Sequence, residues 1–217
     1  MIAFCLGIGY KLYQQAPKAN IYVHPAGLSQ SQYHILNTKM QTKQPSIGSF
    51  FKANLQVIRD DVTDFSWVDE VSVKRDWRRG IVIKAIPRQA VARFGSERLV
   101  DAEGKVFVPA NESSLTVKPY TTLQGDSDQA ATIMLQLQHV NTLFQPLNMQ
   151  VEDMILTSRQ TWLIKFNTGM RVVVDGENTA QKIMNVSNVL QSQLADKVSD
   201  IQVIDARYKN GFSITWH

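Results

Sequence analysis

The chain is 217 residues long, 44% hydrophobic and 19% charged, enough apolar material for a buried core in one large or two small domains and too much for global disorder. Its net charge of +4 is too small to argue for a nucleic-acid binder. A single cysteine, Cys5, excludes a disulfide framework or a multi-cysteine metal centre, and His24, His34, His139 and His217 form no ligand-spaced pair.

Residues 1–10 read MIAFCLGIGY, apolar and uncharged up to Lys11. This run is about half the ~20 apolar residues that a spanning helix needs, and it lacks the basic start of a signal peptide. We read residues 1–13 as part of a transmembrane segment, in preference to a buried terminal element, and the polar residues 14–20, with Pro17, as a linker. The rest of the chain is then free of cysteine, which suits an oxidising compartment.

Ile21, Tyr22 and Val23 make a short strand candidate. Ser29 is placed to cap a helix over residues 30–40, with Tyr33, Leu36 and Met40 at helical spacing and a break at Pro45 and Gly48. A second helix is expected over 55–62. The period then changes to that of strands, carried by Val68, Val71 and Val73 and by Ile81 and Ile83, with a turn at 76–80. Pro87 and Gln89 mark a domain boundary.

Beyond it, residues 99–107 read as a hairpin turning at Glu103-Gly104, and 109–119 as a polar loop. Asp126 and Gln129 have capping-box spacing before a helix with Ile133, Leu137, Val140 and Phe144 on one face. Residues 155–157, 162–166 and 170–174 read as three antiparallel strands. A further helix starts near Thr179, with Ile183, Val186, Leu190 and Leu194 aligned. Strands 203–208 and 212–216 close the chain, joined through Asn210-Gly211, the dipeptide of tight two-residue hairpins. The fold class is therefore α+β: a small mixed unit followed by a mainly antiparallel β domain with two helices.

No catalytic constellation, metal site or cofactor motif stands out. Lys74, Arg75, Arg78 and Arg79 bracket Trp77; a solvated turn is favoured there over a headgroup or nucleic-acid contact. In the last strand Phe212, Ile214 and Trp216 alternate with Ser213 and Thr215, and neither proline nor charge blunts it. At a sheet edge such a strand accepts a strand from another chain. A strand paired on both sides is an equal reading of the same residues.

Three segments resemble a known family: VSVKRDW at residues 71–77, LVDAEGKVF at 99–107 and IDARYKNG at 204–211. In order and spacing they are similar to the bacterial FtsQ/DivIB cell division family, over residues 21–216. The resemblance implies a short cytoplasmic tail, one transmembrane helix, a POTRA domain (residues 21–87) and a β domain (residues 88–217). It implies a divisome scaffold without enzymatic activity, held in the cell inner membrane with its globular part in the periplasm, which binds FtsB and FtsL. FtsB is expected to lay a strand along the terminal strand. Matched position by position, the partner-binding residues are Arg159, Arg207, Tyr208, Asn210, Gly211 and Trp216, with Phe212 and Ile214 on the strand itself. The family's usual proline after the POTRA tryptophan is Arg78 here, and a usual glutamate and proline further on are Pro87 and Ala90. A POTRA-type polypeptide-binding protein of outer-membrane assembly or secretion is the alternative function.

Overall fold

The computed structural model describes residues 19–217, and the chain divides into two compact units between Arg88 and Gln89. The transmembrane expectation for residues 1–13 lies outside the described residues, as does nearly all of the linker. Among the described residues no helix is long and apolar enough to cross a membrane.

The first unit runs β1 (Ile21–Val23), α1 (Gln30–Ile47), α2 (Leu55–Thr63), β2 (Val68–Asp76) and β3 (Gly80–Pro87). Its sheet has the order β1-β3-β2, with β1 parallel to β3 and β2 antiparallel to it. This is a POTRA-type β-α-α-β-β unit. Ser29 starts α1 through a full capping box: its hydroxyl accepts from the Gln32 N–H, and the Gln32 side chain accepts from the Ser29 N–H. Leu36 and Met40 of α1, Ile58 and Val62 of α2, and Ile81 and Ile83 of β3 are all buried. Polar bonds tie the helices together. Lys39 Nζ donates to the Asp61 carbonyl at 2.8 Å, and Lys43 pairs with the Asp61 carboxylate.

One helix boundary differs from expectation. Pro45 does not break α1, which continues to Ile47 and stops at Gly48, where φ is +83°. A proline lacks the N–H that would donate to the carbonyl four residues back, and its ring crowds that carbonyl. In the last turn that loss leaves the rest of the ladder intact.

The second unit contains β4 (Ala92–Phe94), β5 (Arg98–Val100), β6 (Val106–Phe107), β7 (Thr122–Gln124), α3 (Ala130–Phe144), β8 (Val151–Leu156), β9 (Trp162–Phe166), β10 (Arg171–Val174), α4 (Thr179–Gln193), β11 (Ile201–Asp205) and β12 (Ser213–Trp216). The strands form one sheet in the order β12-β11-β10-β9-β8-β7-β4-β5-β6. It is mainly antiparallel, with parallel pairing at β10–β11, β7–β8 and β4–β7.

Strand alternation places one side chain in two against the helices. Met154, Ile164, Phe166, Val172 and Ile204 are buried with Ile133, Val140 and Phe144 of α3 and Ile183, Val186 and Leu190 of α4. Phe144 and Phe166 stack with ring centroids 4.6 Å apart. Ser187 of α4 donates to the Leu143 carbonyl of α3 at 2.8 Å, which satisfies a fully buried hydroxyl. The opposite face carries Ile155, Leu163, Val173 and Val203, and no helix of this unit covers it.

The turn between β5 and β6 is built around Asp101, whose carboxylate accepts from the N–H groups of Glu103 (3.1 Å) and Lys105 (2.7 Å). Gly104 takes φ +83° there, and a Cβ on it would lie 2.2 Å from Ala131 Cα. The start of α3 differs in detail from the expected capping box. Asp126 caps a short 3-10 turn, Ser127–Gln129, by accepting from the Asp128 N–H, and that turn feeds α3.

Candidate functional site: the β12 edge

Topology decides where the last strand lies. β11 returns parallel to β10 after the α4 crossover, and β12 folds back outside it. β12 is therefore an edge strand, and among the described residues no strand flanks its outer side. The other edge, β6, is two residues long and is followed two positions later by Pro109, the usual way of blunting an edge. β12 has four residues and no proline or charge.

Register fixes its faces. Ser213 pairs with Asp205, Ile214 with Ile204, Thr215 with Val203 and Trp216 with Ile201, and a bulge at Gln202 absorbs the odd residue. Phe212 and Ile214 are half-buried and pack on the core, whereas Ser213 and Thr215 are exposed on the other face. Trp216 remains 46% exposed. Just beyond it, the His217 N–H donates to the Asp200 carbonyl at 2.9 Å, which pins the strand's end.

The connection preceding β12 is not the tight Asn-Gly hairpin expected from sequence. β11 ends at Asp205, and the seven residues 206–212 join the strands, with neither Asn210 nor Gly211 at positive φ. The cause lies at the strand end. Asp205 Oδ1 accepts from the Arg207 N–H at 3.1 Å, and its carboxylate grips the Arg207 guanidinium, Nε at 2.9 Å and Nη2 at 2.5 Å. This local turn stops β11 before Tyr208. The Arg207 hydrogen bonds hold the Asp205 carboxyl below its ordinary pKa, and the Asp205 carboxylate raises Arg207 in return. Arg207 is one of the residues matched above to partner binding. In the free chain it is already engaged by Asp205, while more than half its side chain faces solvent.

Tyr208 stands outside any strand and is 58% exposed. Asn210 and Gly211 are exposed in the same connection. Tyr208 and Trp216 thus stand at opposite ends of the edge. Arg159 is exposed in the turn between β8 and β9. The pairings Trp162–Val174, Val173–Asp205 and Asp205–Ser213 place that turn at the same end of the sheet as the 206–212 connection. Three strand spacings, about 14 Å, separate β9 from β12, so Arg159 stands apart from the main cluster. The turn packs on the next loop: a Cβ on Gly176 would lie 2.9 Å from Gln160 Cβ.

Two features escaped the sequence reading. Asp205 lies within the quoted IDARYKNG segment, and its position two residues before Arg207 was the available signal for the turn. The uncovered row of Ile155, Leu163, Val173 and Val203 was legible only as ordinary strand alternation.

The last strand is thus a sheet edge with an exposed aromatic side chain at each end, Tyr208 and Trp216. Residues 90–207 match the family model described as cell division protein FtsQ/DivIB, C-terminal. The chain is 38% identical over 179 residues to a cell division protein FtsQ of Acinetobacter oleivorans, covering 82% of this chain and 62% of that protein. It is 25% identical over 169 residues to the cell division protein FtsQ of Coxiella burnetii, covering 78% of this chain and 69% of that protein. The chain thus spans about two thirds of the length of the curated relatives it matches. It belongs to the FtsQ/DivIB family of cell division proteins.

Proposed function

We propose that the chain is a non-enzymatic scaffold of the divisome, held in the cell inner membrane through its apolar amino-terminal run, with residues 21–87 and 88–217 acting in the periplasm. It recruits FtsB, together with FtsL, by strand addition to β12 and so links early and late septation proteins. The observation that carries this reading is the unblunted edge at Ser213–Trp216 with Tyr208 and Trp216 exposed at its two ends. Main-chain pairing would supply the sequence-tolerant part of the affinity, and the aromatic rings would supply anchors. Arg159 offers a guanidinium group to acidic partner residues, and Arg207 does so by sharing or exchanging its Asp205 contact.

Hydrogen exchange tests the mode of binding. With the periplasmic segments of FtsB and FtsL at saturation, the outward-facing amides of residues 213–216 are expected to exchange more slowly. Saturable binding that left those amides unprotected would overturn strand addition.

A further inference from the structure

Trp77, in the turn between β2 and β3, is 83% exposed, the most of any large apolar side chain among the described residues. It is not alone. Phe50 and Phe51, in the loop between α1 and α2, place their ring centroids 5.3 Å and 5.8 Å from that of Trp77, and 5.3 Å from each other. Arg75 builds this cluster. Its Nε donates to the Phe50 carbonyl at 3.0 Å, and its Nη2 donates to the carbonyls of Phe51 (3.3 Å) and Ala53 (2.7 Å). These acceptors are neutral, so the loop is held against the hairpin without cancelling the guanidinium charge.

Lys74, Arg78 and Arg79 are exposed around the same turn. The Arg79 guanidinium lies 5.4 Å from the Tyr22 ring centroid. The acidic residue of the turn, Asp76, accepts with one carboxylate oxygen from the N–H groups of Arg78 (2.8 Å) and Arg79 (2.9 Å). Four cations therefore stand against one carboxylate on this hairpin end, beside three aromatic rings.

The chain enters the unit at this same end. The Ile81 N–H donates to the Asn20 carbonyl at 2.7 Å, and the Ala19 N–H donates to the Gly48 carbonyl at 3.2 Å. Gly80 packs so closely on Asn20 that a Cβ would lie 2.3 Å from its carbonyl oxygen. Upstream in sequence, residues 11–18 separate Ala19 from the apolar run 1–10. Eight residues reach at most about 28 Å when fully extended.

We infer that this end of the first unit is a membrane-docking surface for an anionic bilayer. Trp77, Phe50 and Phe51 enter the headgroup region, where tryptophan partitions well, and Arg75, Arg78 and Arg79 meet lipid phosphates. The short tether to residues 1–10, which rests on their reading as a membrane anchor, holds the patch within reach of the surface. Charge complementarity and this entry point favour a bilayer over a protein partner.

The full chain is reconstituted with vesicles of phosphatidylethanolamine and phosphatidylglycerol, with and without bromine high on the acyl chains, and tryptophan emission is recorded. Residues 1–18 contain no tryptophan, and the other three are Trp67, Trp162 and Trp216, so insertion of the apolar run alone adds no tryptophan to the bilayer. Bromine-dependent quenching is expected to fall severalfold in Trp77→Leu. It should fall similarly in Arg78→Glu combined with Arg79→Glu, and on replacing phosphatidylglycerol with phosphatidylcholine. Near-ultraviolet dichroism verifies that each variant is folded. Equal quenching in wild type and Trp77→Leu overturns the proposal, whether or not the chain co-floats with the vesicles. Trp77-dependent quenching without co-flotation of a Trp77→Leu control supports the patch and removes the anchor reading instead.

Discussion

Tyr208→Ala separates binding from folding at the β12 edge. A tyrosine side chain presents roughly 200 Å² when fully accessible. Tyr208 is 58% exposed in the free chain and lies outside every strand. A partner that covered it would remove about 120 Å² from water, of which about three quarters is ring carbon, and at ~25 cal/mol per Å² this gives ~2 kcal/mol. The dissociation constant for the FtsB–FtsL periplasmic segments should rise about 30-fold. Stability should move by less than ~0.5 kcal/mol, since the ring is largely solvated. Trp216→Ala behaves differently. At 46% exposure, half of the indole already packs within the free chain, so its loss should cost ~2 kcal/mol of partner affinity and a similar amount of folding stability. Titration calorimetry beside thermal unfolding reads both quantities. A folded Tyr208→Ala variant that bound within twofold of wild type would refute the assignment of Tyr208 to the interface.

Gly104→Ala should destabilise the second unit by ~2 kcal/mol or more, because it joins left-handed strain to a contact 2.2 Å from a helix backbone atom; chemical denaturation measures it. Phe166→Ala should cost ~3–5 kcal/mol, as it empties a fully buried site stacked on Phe144. The Asp205–Arg207 pair stabilises the fold above the unfolded carboxylate pKa, and its contribution disappears as pH falls through the depressed folded value. The stability gap between wild type and Asp205→Asn should therefore be full at pH 7 and close below about pH 4, a window set by the ordinary Asp pKa. Parallel unfolding curves at both pH values check this, and a gap that persisted in acid would sink it.

Local patterns were legible where local physics dominates. Helix α2, the Asp76 turn, the β5–β6 hairpin and the buried face of α3 follow from periodicity, turn residues and caps. The terminal hairpin shows the limit. Asn210-Gly211 is a strong local signal for a tight turn, but the Asp205 carboxylate captures Arg207 and ends β11 three residues before Tyr208. A charge-assisted bond outcompeted the propensity of the dipeptide. The edge position of β12 was half legible. Its composition marked it as unblunted, but only the parallel pairing of β10 with β11, a contact across the α4 crossover, leaves β12 outermost. Arg159 was named from resemblance, and nothing local tells that its turn lies at the same end of the sheet as Tyr208.

The alternation along β12 also acts as a grammar for whatever lies beside it. Phe212 and Ile214 lean toward the core, while Ser213 and Thr215 face solvent. An incoming strand in the correct register continues both layers: its apolar residues extend the roof over the helices, and its polar residues join the wet side. A slip of one residue exchanges every side chain between the two layers and strands each apolar group in water. On the strand addition proposed above, the edge would select a visiting strand by its binary pattern, even though the hydrogen bonds that would join the two chains are blind to sequence.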